Sequence, residues 1–448
     1  MNDDTIAALA TPPGRGGVGV IRISGKYVQA IAESVLGNCP PPRQAVLKQF
    51  LDAQGNSIDS GLALFFPGPN SFTGEDVLEL QGHGGRVVMD MVLQRLFELG
   101  VRPARAGEFS ERAFLNDKLD LAQAEAIADL IDSGSSEAAR AALRSLQGEF
   151  SNRVHALAER MLYLRMYVEA AIDFPEEEVD FLADVKLQRL VDELQQAMQT
   201  LLVETEQGCV LREGLVLVIA GLPNAGKSSL LNALAGKDSA IVTDIPGTTR
   251  DVLREHIQLN GLPLEIIDTA GLRDSDDSIE QEGVKRAWRE IERADRLLFV
   301  VDETQGMDVS TTTLLDSMPS ELPRTVVHNK IDLADRDAGI QTDDKETRVY
   351  VSAKSGAGLD VLSQHLQDCA GYREAGNDSF SARRRHLEAL RRAAQWVDKA
   401  VVALNRDQAG ELVAEDLRLA HHDLGSITGE VSSDDLLGEI FSSFCIGK

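Results

Sequence analysis

Leu215-Val216-Leu217-Val218-Ile219-Ala220-Gly221-Leu222-Pro223-Asn224-Ala225-Gly226-Lys227-Ser228-Ser229 decides how the rest of the chain is read. Its first half is apolar and rich in β-branched residues, the composition of a strand buried on both faces. Its second half is Gly-x-x-x-x-Gly-Lys-Ser, and it runs into the helical pattern Ser229-Leu230-Leu231-Asn232-Ala233-Leu234. Strand, glycine loop and helix in that order make a phosphate-binding loop. Gly221 and Gly226 let backbone N–H groups converge on phosphate oxygens where a Cβ would intrude. The helix N-terminus adds favourable partial charge. Lys227 is placed to reach the β- and γ-phosphates, and the Ser228 hydroxyl to ligate Mg²⁺.

Later motifs select the nucleotide. Leu264-Glu265-Ile266-Ile267-Asp268-Thr269-Ala270-Gly271 is a strand ending in Asp-x-x-Gly. There Asp268 holds Mg²⁺ through water and the Gly271 N–H senses the γ-phosphate. Thr325-Val326-Val327-His328-Asn329-Lys330-Ile331-Asp332 is a second such strand, ending in Asn-Lys-x-Asp. The Asp332 carboxylate can accept from both guanine N1–H and N2–H₂, a donor pair that adenine lacks. Ser352-Ala353-Lys354 supplies an Ala353 N–H for guanine O6, and Gly247-Thr248-Thr249 falls where a switch segment offers a Thr to Mg²⁺. Four motifs in this order predict a GTP site. Hydrolysis also needs a positioned water. Ras-type enzymes use a Gln directly after Asp-x-x-Gly, but here that residue is Leu272, so another group must act. Asn224 is either a loop former or a ligand for a monovalent cation that replaces an arginine finger.

The chain has 448 residues, room for about three domains. Its longest apolar runs, such as Leu297–Val301, are strand-sized. No membrane span or secretory leader is therefore expected. Cys39, Cys209, Cys369 and Cys445 are scattered without a C-x-x-C pair. That suits a reducing cytoplasm and excludes a disulfide framework or zinc site. The formal net charge of −27 repels nucleic acid at long range, so RNA contact must be local or delegated to a partner. Residues 1–120 are nearly balanced, with 11 Lys+Arg against 14 Asp+Glu.

Residues 1–118 read as a small α+β domain. Strand-like runs lie at Val18–Ser24, Gly61–Phe66 and Asp76–Leu80, and Val87–Leu99 has helical spacing before Gly100. Gly14-x-Gly16-x-x-Gly19 matches the dinucleotide fingerprint by letter, but Pro12-Pro13 precede it and a strand follows, so it is taken as a tight loop. Helical spacing occupies 119–209, broken by Asp173-Phe174-Pro175-Glu176-Glu177-Glu178. Strands alternate with helices over 210–372, and helix returns over 373–448. The expected fold class is multidomain α/β: an N-terminal α+β domain, a central helical domain, and a Ras-like P-loop α/β GTPase domain inserted in the helical one. Arg383-Arg384-Arg385-His386 is either a basic patch or a solvated helix start.

Several stretches outside the GTP motifs are distinctive: Ala10-Thr11-Pro12-Pro13-Gly14-Arg15-Gly16-Gly17, Pro69-Asn70-Ser71-Phe72-Thr73-Gly74-Glu75-Asp76, and Gly107-Glu108-Phe109-Ser110-Glu111-Arg112-Ala113-Phe114. With Asn116-Asp117-Lys118-Leu119-Asp120-Leu121 and the terminal Phe444-Cys445-Ile446-Gly447-Lys448, they resemble the bacterial tRNA-modification GTPases of the MnmE (TrmE) family over nearly the whole chain. The resemblance implies that residues 1–118 bind a one-carbon donor of the 5-formyl-tetrahydrofolate type and hold a constitutive homodimer. Arg22, Glu79, Lys118 and Lys448 match the family's folate-contacting positions. It also implies a flavin-dependent partner, MnmG. With that partner the family installs an aminomethyl or carboxymethylaminomethyl group at carbon 5 of the wobble uridine of certain tRNAs.

The resemblance places K⁺ on Asn224, Thr243, Ile245 and Thr248, and Mg²⁺ on Ser228 and Thr249. K⁺ then draws two GTPase domains together face to face. The full nucleotide site it implies adds Ala225, Gly226, Lys227 and Ser229, the segment Thr243, Asp244, Ile245, Pro246, Gly247, Thr248 and Thr249, and Asp268, Thr269, Ala270 and Gly271. Asn329, Lys330, Asp332, Ser352, Ala353 and Lys354 complete it. The family's catalytic glutamate lies in a Val-Glu-x-Ile-Gly pattern. Here the stretch is Ile279-Glu280-Gln281-Glu282-Gly283, and alignment on Gly283 gives the water-orienting role to Glu280, with Glu282 in the family's Ile position. Cys445 is either a small buried hydrophobe or, by the resemblance, a nucleophile or acid near the one-carbon donor. Two rival functions stand beside this reading: a regulatory GTP switch in ribosome assembly, and a stand-alone folate-dependent aminomethyl transferase.

Overall fold

The computed structural model describes residues 4–12, 14–173, 185–236, 254–268, 291, 294–343, 346–373, 376, 378–407, 410–431 and 433–447. In chain order its elements begin with β1 (Ile6–Leu9), β2 (Gly19–Ser24), α1 (Val28–Leu36), β3 (Val46–Leu51), β4 (Ser57–Phe66), β5 (Val77–Gly82), α2 (Arg86–Glu98), β6 (Arg102–Pro103) and α3 (Glu108–Leu115). Helices α4 (Leu121–Ile131), α5 (Ser136–Leu146), α6 (Glu149–Asp173) and α7 (Val185–Glu213) follow. Next come β7 (Leu215–Ala220), α8 (Lys227–Ala235), β8 (Arg254–Leu259), β9 (Leu262–Asp268), β10 (Arg296–Asp302), α9 (Val309–Asp316), β11 (Arg324–Asn329), β12 (Gly339–Thr342), β13 (Thr347–Tyr350) and α10 (Leu359–Ala370). The last three are α11 (Arg384–Asp407), α12 (Gly410–Thr428) and α13 (Asp434–Ser442). They gather into two bodies, one of Met1–Ala128, Val154–Arg165 and Ala414–Lys448, the other of Asp129–Arg153 and Met166–Val413.

In the first body six strands form one sheet in the order β3-β4-β5-β2-β1-β6. Strand alternation sends Ile21 and Ile23 of β2 and Leu78 and Leu80 of β5 to the face covered by α1 and α2, where Ile31, Val35, Val92 and Leu96 close the core. Arg22 and Glu79 therefore lie on the opposite face, paired across β2 and β5 in one row with Ala8 and Leu64. On that face Phe109 of α3 packs against Ile6 and Ala8. The chain's end returns to this body. Ile440, Phe441 and Phe444 pack on Leu121 and Ala124, and Ile446 pairs antiparallel with Ala106. The glycines at 14–19 lead into β2 and open no helix, so the dinucleotide fingerprint lacks the context it needs.

In the second body seven strands run β12-β13-β11-β10-β7-β9-β8. The five central strands are parallel, and β12 and β8 close the edges antiparallel. Helices cover both faces, which is why β7 and β10 are continuously apolar rather than alternating. Leu217 and Ile219 pack with Leu230, Leu234, Leu362 and Leu366 on one side. Val218, Phe299 and Val301 pack with Leu315 and Met318 on the other. This α/β domain interrupts a helical one: α7 feeds β7 through Gly214 (φ 68°), and α11 resumes after α10. Helices α7 and α11 run antiparallel, since Glu213 pairs with Arg384, Glu206 with Arg391, and Asp398 accepts from Gln195. The 383–386 run is only partly a surface feature. Arg383 pairs at 2.8 Å with the buried Asp129, and His386 is buried against the Phe150 ring. The acidic break at 174–178 lies outside the described residues, apart from the end of α6.

Candidate functional site

Strand β7 delivers the loop Gly221–Gly226 to the carboxyl edge of the parallel sheet, where open α/β sheets bind ligands. A Cβ on Gly221 would stand 2.2 Å from the Val300 carbonyl oxygen, and one on Gly226 would stand 2.3 Å from Asn329 Nδ2, so both positions require glycine. The Lys227 Nζ donates to the Gly221 and Leu222 carbonyls at 2.8 and 3.2 Å, which folds the lysine back over its own loop. Ser228 and Ser229 are exposed on the first turn of α8. Asp268 closes β9 in register with Ile219, so the parallel pairing brings this aspartate's backbone beside the start of the loop.

The guanine side is assembled by Asn329. Its Nδ2 donates to the Ala225 carbonyl at 3.1 Å, and its Oδ1 accepts from the Lys330 and Ala353 backbone N–H groups at 2.8 and 3.0 Å. One amide thus staples its own motif to two others, 104 residues and 24 residues away from it in sequence. The Ala353 N–H, expected at guanine O6, is donated to this amide. Lys330, in the left-handed region at φ 67°, donates to the Asn224 carbonyl and to Asp302 Oδ2, each at 2.6 Å. Burial alone would raise the Asp302 carboxyl, but bonds from Lys330 and Thr304 hold it below its ordinary range. Asp332 is exposed and is steadied by the Ser352 hydroxyl at 2.6 Å. The Lys354 side chain is exposed. Asp302 was not anticipated from sequence. Its signal was its place directly after the apolar run Leu297–Val301, at the same sheet edge.

A second cluster lies in the first body. Arg22 meets Glu79 Oε1 through Nε and Nη2, both at 3.0 Å. The Arg22 guanidinium also lies 5.3 Å from the Phe72 ring centroid and 5.8 Å from that of Phe109. Asn116 Nδ2 donates to the Thr73 carbonyl at 2.7 Å, and the loop holding Phe72 rests on Asn116 and Lys118 at Gly74. Lys118 is exposed at this edge. Cys445 is exposed as well, which removes the reading of a small buried hydrophobe, and its carbonyl accepts from the Gly107 N–H at 3.5 Å. Thr243, Asp244, Ile245, Pro246, Gly247, Thr248 and Thr249 lie outside the described residues. So do Thr269, Ala270, Gly271, Glu280, Glu282 and Lys448.

The phosphate loop, the Asn329 staple and the Arg22–Glu79 cluster lie in stretches that two family models cover. One, described as "MnmE helical domain", matches residues 121–445, and one described as "GTP-binding protein TrmE N-terminus" matches residues 5–118. The tRNA modification GTPase MnmE of Hydrogenovibrio crunogenus is 56% identical over 446 residues, covering 100% of this chain and 99% of its own. That of Vibrio cholerae is 57% identical over 457 residues, covering 100% of both chains. The chain belongs to the MnmE family. It is thereby a GTP hydrolase acting in tRNA modification, as MnmE-family proteins are named. Among solved structures, Aquifex aeolicus Era Y63A bound to GDP.AlF4- overlaps 41% of this chain and 66% of its own, at 27% identity and a TM-score of 0.27. No helix among the described residues is long and apolar enough to cross a membrane.

Proposed function

We propose that this MnmE-family GTPase acts as a potassium-stimulated homodimer in the cytoplasm. With a flavin-dependent partner of the MnmG kind, it adds an aminomethyl or carboxymethylaminomethyl group to carbon 5 of the wobble uridine of certain tRNAs. Residues 1–118 form the one-carbon and dimerisation domain, 119–209 and 373–448 the helical domain, and 210–372 the GTPase domain. The observation that carries this reading is the Arg22, Glu79, Phe72 and Phe109 cluster, for which a bare GTP switch has no use. Its chemistry fits a reduced folate. The exposed Phe72 ring offers a flat surface to a pterin while the buried Phe109 backs the Arg22 guanidinium, Glu79 can accept from pterin N–H groups, and Arg22, Lys118 and Lys448 suit a glutamate tail.

On the GTPase side, Ser228 and Thr249 with Asp268 would hold Mg²⁺, which when bound neutralises charge on the β- and γ-phosphates. Asn224, Thr243, Ile245 and Thr248 would hold K⁺, and Glu280 would orient the attacking water. The chain's own contribution is positional. Lys227 and the loop amides gather the phosphates, while the Asn329 staple ties that loop to the base-reading segment.

The test is mass spectrometry of tRNA nucleosides from cells lacking the protein, rescued by the wild type or by Arg22→Ala. Loss of 5-(carboxymethyl)aminomethyl-type uridines, restored by the wild type and not by Arg22→Ala, is the expected outcome. An unchanged profile in the deletion would favour the ribosome-assembly switch. Full rescue by Arg22→Ala would remove the one-carbon role of the cluster.

A further inference from the structure

Around the base-reading segment four side chains close a ring that the nucleotide motifs do not include. His328, directly before Asn329, gives its Nδ1 to Glu303 Oε2 at 2.6 Å. The other carboxylate oxygen of Glu303 accepts from Arg336 Nη1 at 2.6 Å. The Arg336 guanidinium lies 3.7 Å from the centroid of the Tyr350 ring, and that ring stacks on His328 at 4.8 Å between centroids. Because Glu303 can only accept, the Nδ1 of His328 carries the proton. The His328 Nε2 is then buried without a hydrogen-bond partner among the described residues. A buried polar atom left unsatisfied is costly, and the ring carries that cost beside the base-reading segment.

The ring has a definite place in the chain. His328 and Arg336 bracket the segment 329–335, which carries Asn329, Lys330 and Asp332. Both ends of that segment are thus pinned to the residue that follows Asp302, the partner of Lys330. The backbone repeats the tie, since the Glu303 N–H donates to the Asn329 carbonyl at 2.9 Å and the Val351 N–H to that of His328 at 2.8 Å.

We propose that Glu303, acting through His328 and Arg336, is a positioning residue that sets guanine selectivity. It does so by fixing where Asp332 stands. Asp332 is exposed and has only the Ser352 hydroxyl as a side-chain partner among the described residues, so its placement depends on how its segment is anchored. A carboxylate meant to accept from two adjacent donors loses the second contact when displaced by a fraction of an ångström. The exocyclic amine is the donor that separates guanine from hypoxanthine. The proposal rests on Asp332 being the guanine-binding carboxylate.

The experiment measures Kd for GDP and for IDP on the intact chain, for the wild type and for Glu303→Ala, Glu303→Gln, Arg336→Gln and Arg336→Lys. Opening the ring at either residue should narrow the IDP/GDP ratio of Kd by about three- to ten-fold, because a displaced Asp332 weakens one hydrogen bond to a charged group without abolishing it, and full loss would exceed about ten-fold. Arg336→Lys keeps a cation on Glu303 and should retain most of the wild-type ratio. A merely structural ring would weaken GDP and IDP equally and leave the ratio unchanged, and that result overturns the proposal whatever happens to thermal stability. Glu303→Gln preserves volume and Arg336 is half-exposed, so a ratio remains measurable if Glu303→Ala does not fold. Asp332→Ala separates the two levels. If it left the ratio at the wild-type value, the assignment of Asp332 would fail rather than that of Glu303.

Discussion

Arg112 has almost no contact with water, yet it answers three carboxylates. It meets Asp4 at 2.7 Å, Glu75 at 3.0 Å and Glu108 at 3.2 Å, and its side chain is 8% exposed. Glu108 is 2% exposed and is shared with Arg102. Burial by itself would raise the Glu108 carboxyl, but hydrogen bonds from Arg102, the Arg105 N–H and Arg112 hold it below its ordinary 4.5. A lowered carboxylate contributes stability that is complete above about pH 4.5 and is lost as pH falls through the lower folded value. Protection of the α3 amides, taken relative to their intrinsic exchange rates in the intact chain, should therefore fall below pH 4.5, and Glu108→Gln should flatten that dependence. Removing the cation is the harsher change. Arg112→Leu leaves buried carboxylates uncompensated and should cost about 3–5 kcal/mol locally, read as lost protection of the same amides near neutral pH. Unaltered exchange in Arg112→Leu would mean that the network does not brace this body. The stretch Gly107–Phe114 is conspicuous in the sequence, but its partners lie up to 108 residues away, so no local pattern reveals what Glu108 and Arg112 do.

The hairpin β8–β9 joins the segment before it to Asp268, and its tip is gripped from outside the sheet. The Ser135 hydroxyl caps α5 by accepting from the Ala138 N–H at 3.1 Å, and donates to the Gly261 carbonyl at 2.8 Å. The Tyr372 hydroxyl donates to the Asn260 carbonyl at 3.3 Å. Ser135→Ala removes an N-cap and orphans a buried carbonyl together, which should cost about 1–3 kcal/mol. The measurement is exchange at the first-turn amides of α5 and at the hairpin, which should quicken together. Quickening in α5 alone would show that the tip is held by Tyr372 and the sheet. Legibility at this scale follows the apolar periodicity. Strands β7, β9, β10 and β11 and the long α7 and α11 stand out in the sequence because burial on both faces or along one stripe writes a long pattern. Strand β1, Ile6-Ala7-Ala8-Leu9, does not, being four residues long and half alanine. Helix α1 also begins without a side-chain cap at Tyr27, so it lacks a start signal.

For the molecule as a whole, the GTP motifs were legible because each is a short run tied to a strand end, and the insertion was legible because helical composition resumes after it. The Asn329 staple was not, because it depends on the parallel register of β7, β11 and β13, which no single segment encodes. A chain of net charge −27 repels itself, so added salt of any kind relieves strain in the folded state and between two copies. Stimulation by KCl alone is therefore no argument for a cation site. K⁺ and Na⁺ at equal concentration, however, screen equally, and a rate difference between them reports a site that distinguishes ionic size. Asn224 is the described residue proposed for that site. Its backbone is held at φ 65° with Lys330 on its carbonyl, which leaves its side chain exposed at the loop. GTP hydrolysis should thus be faster in KCl than in NaCl at matched ionic strength, and Asn224→Ala should make the two rates equal while GDP still binds. An Asn224→Ala chain that keeps the full wild-type preference for KCl would place the cation on other residues.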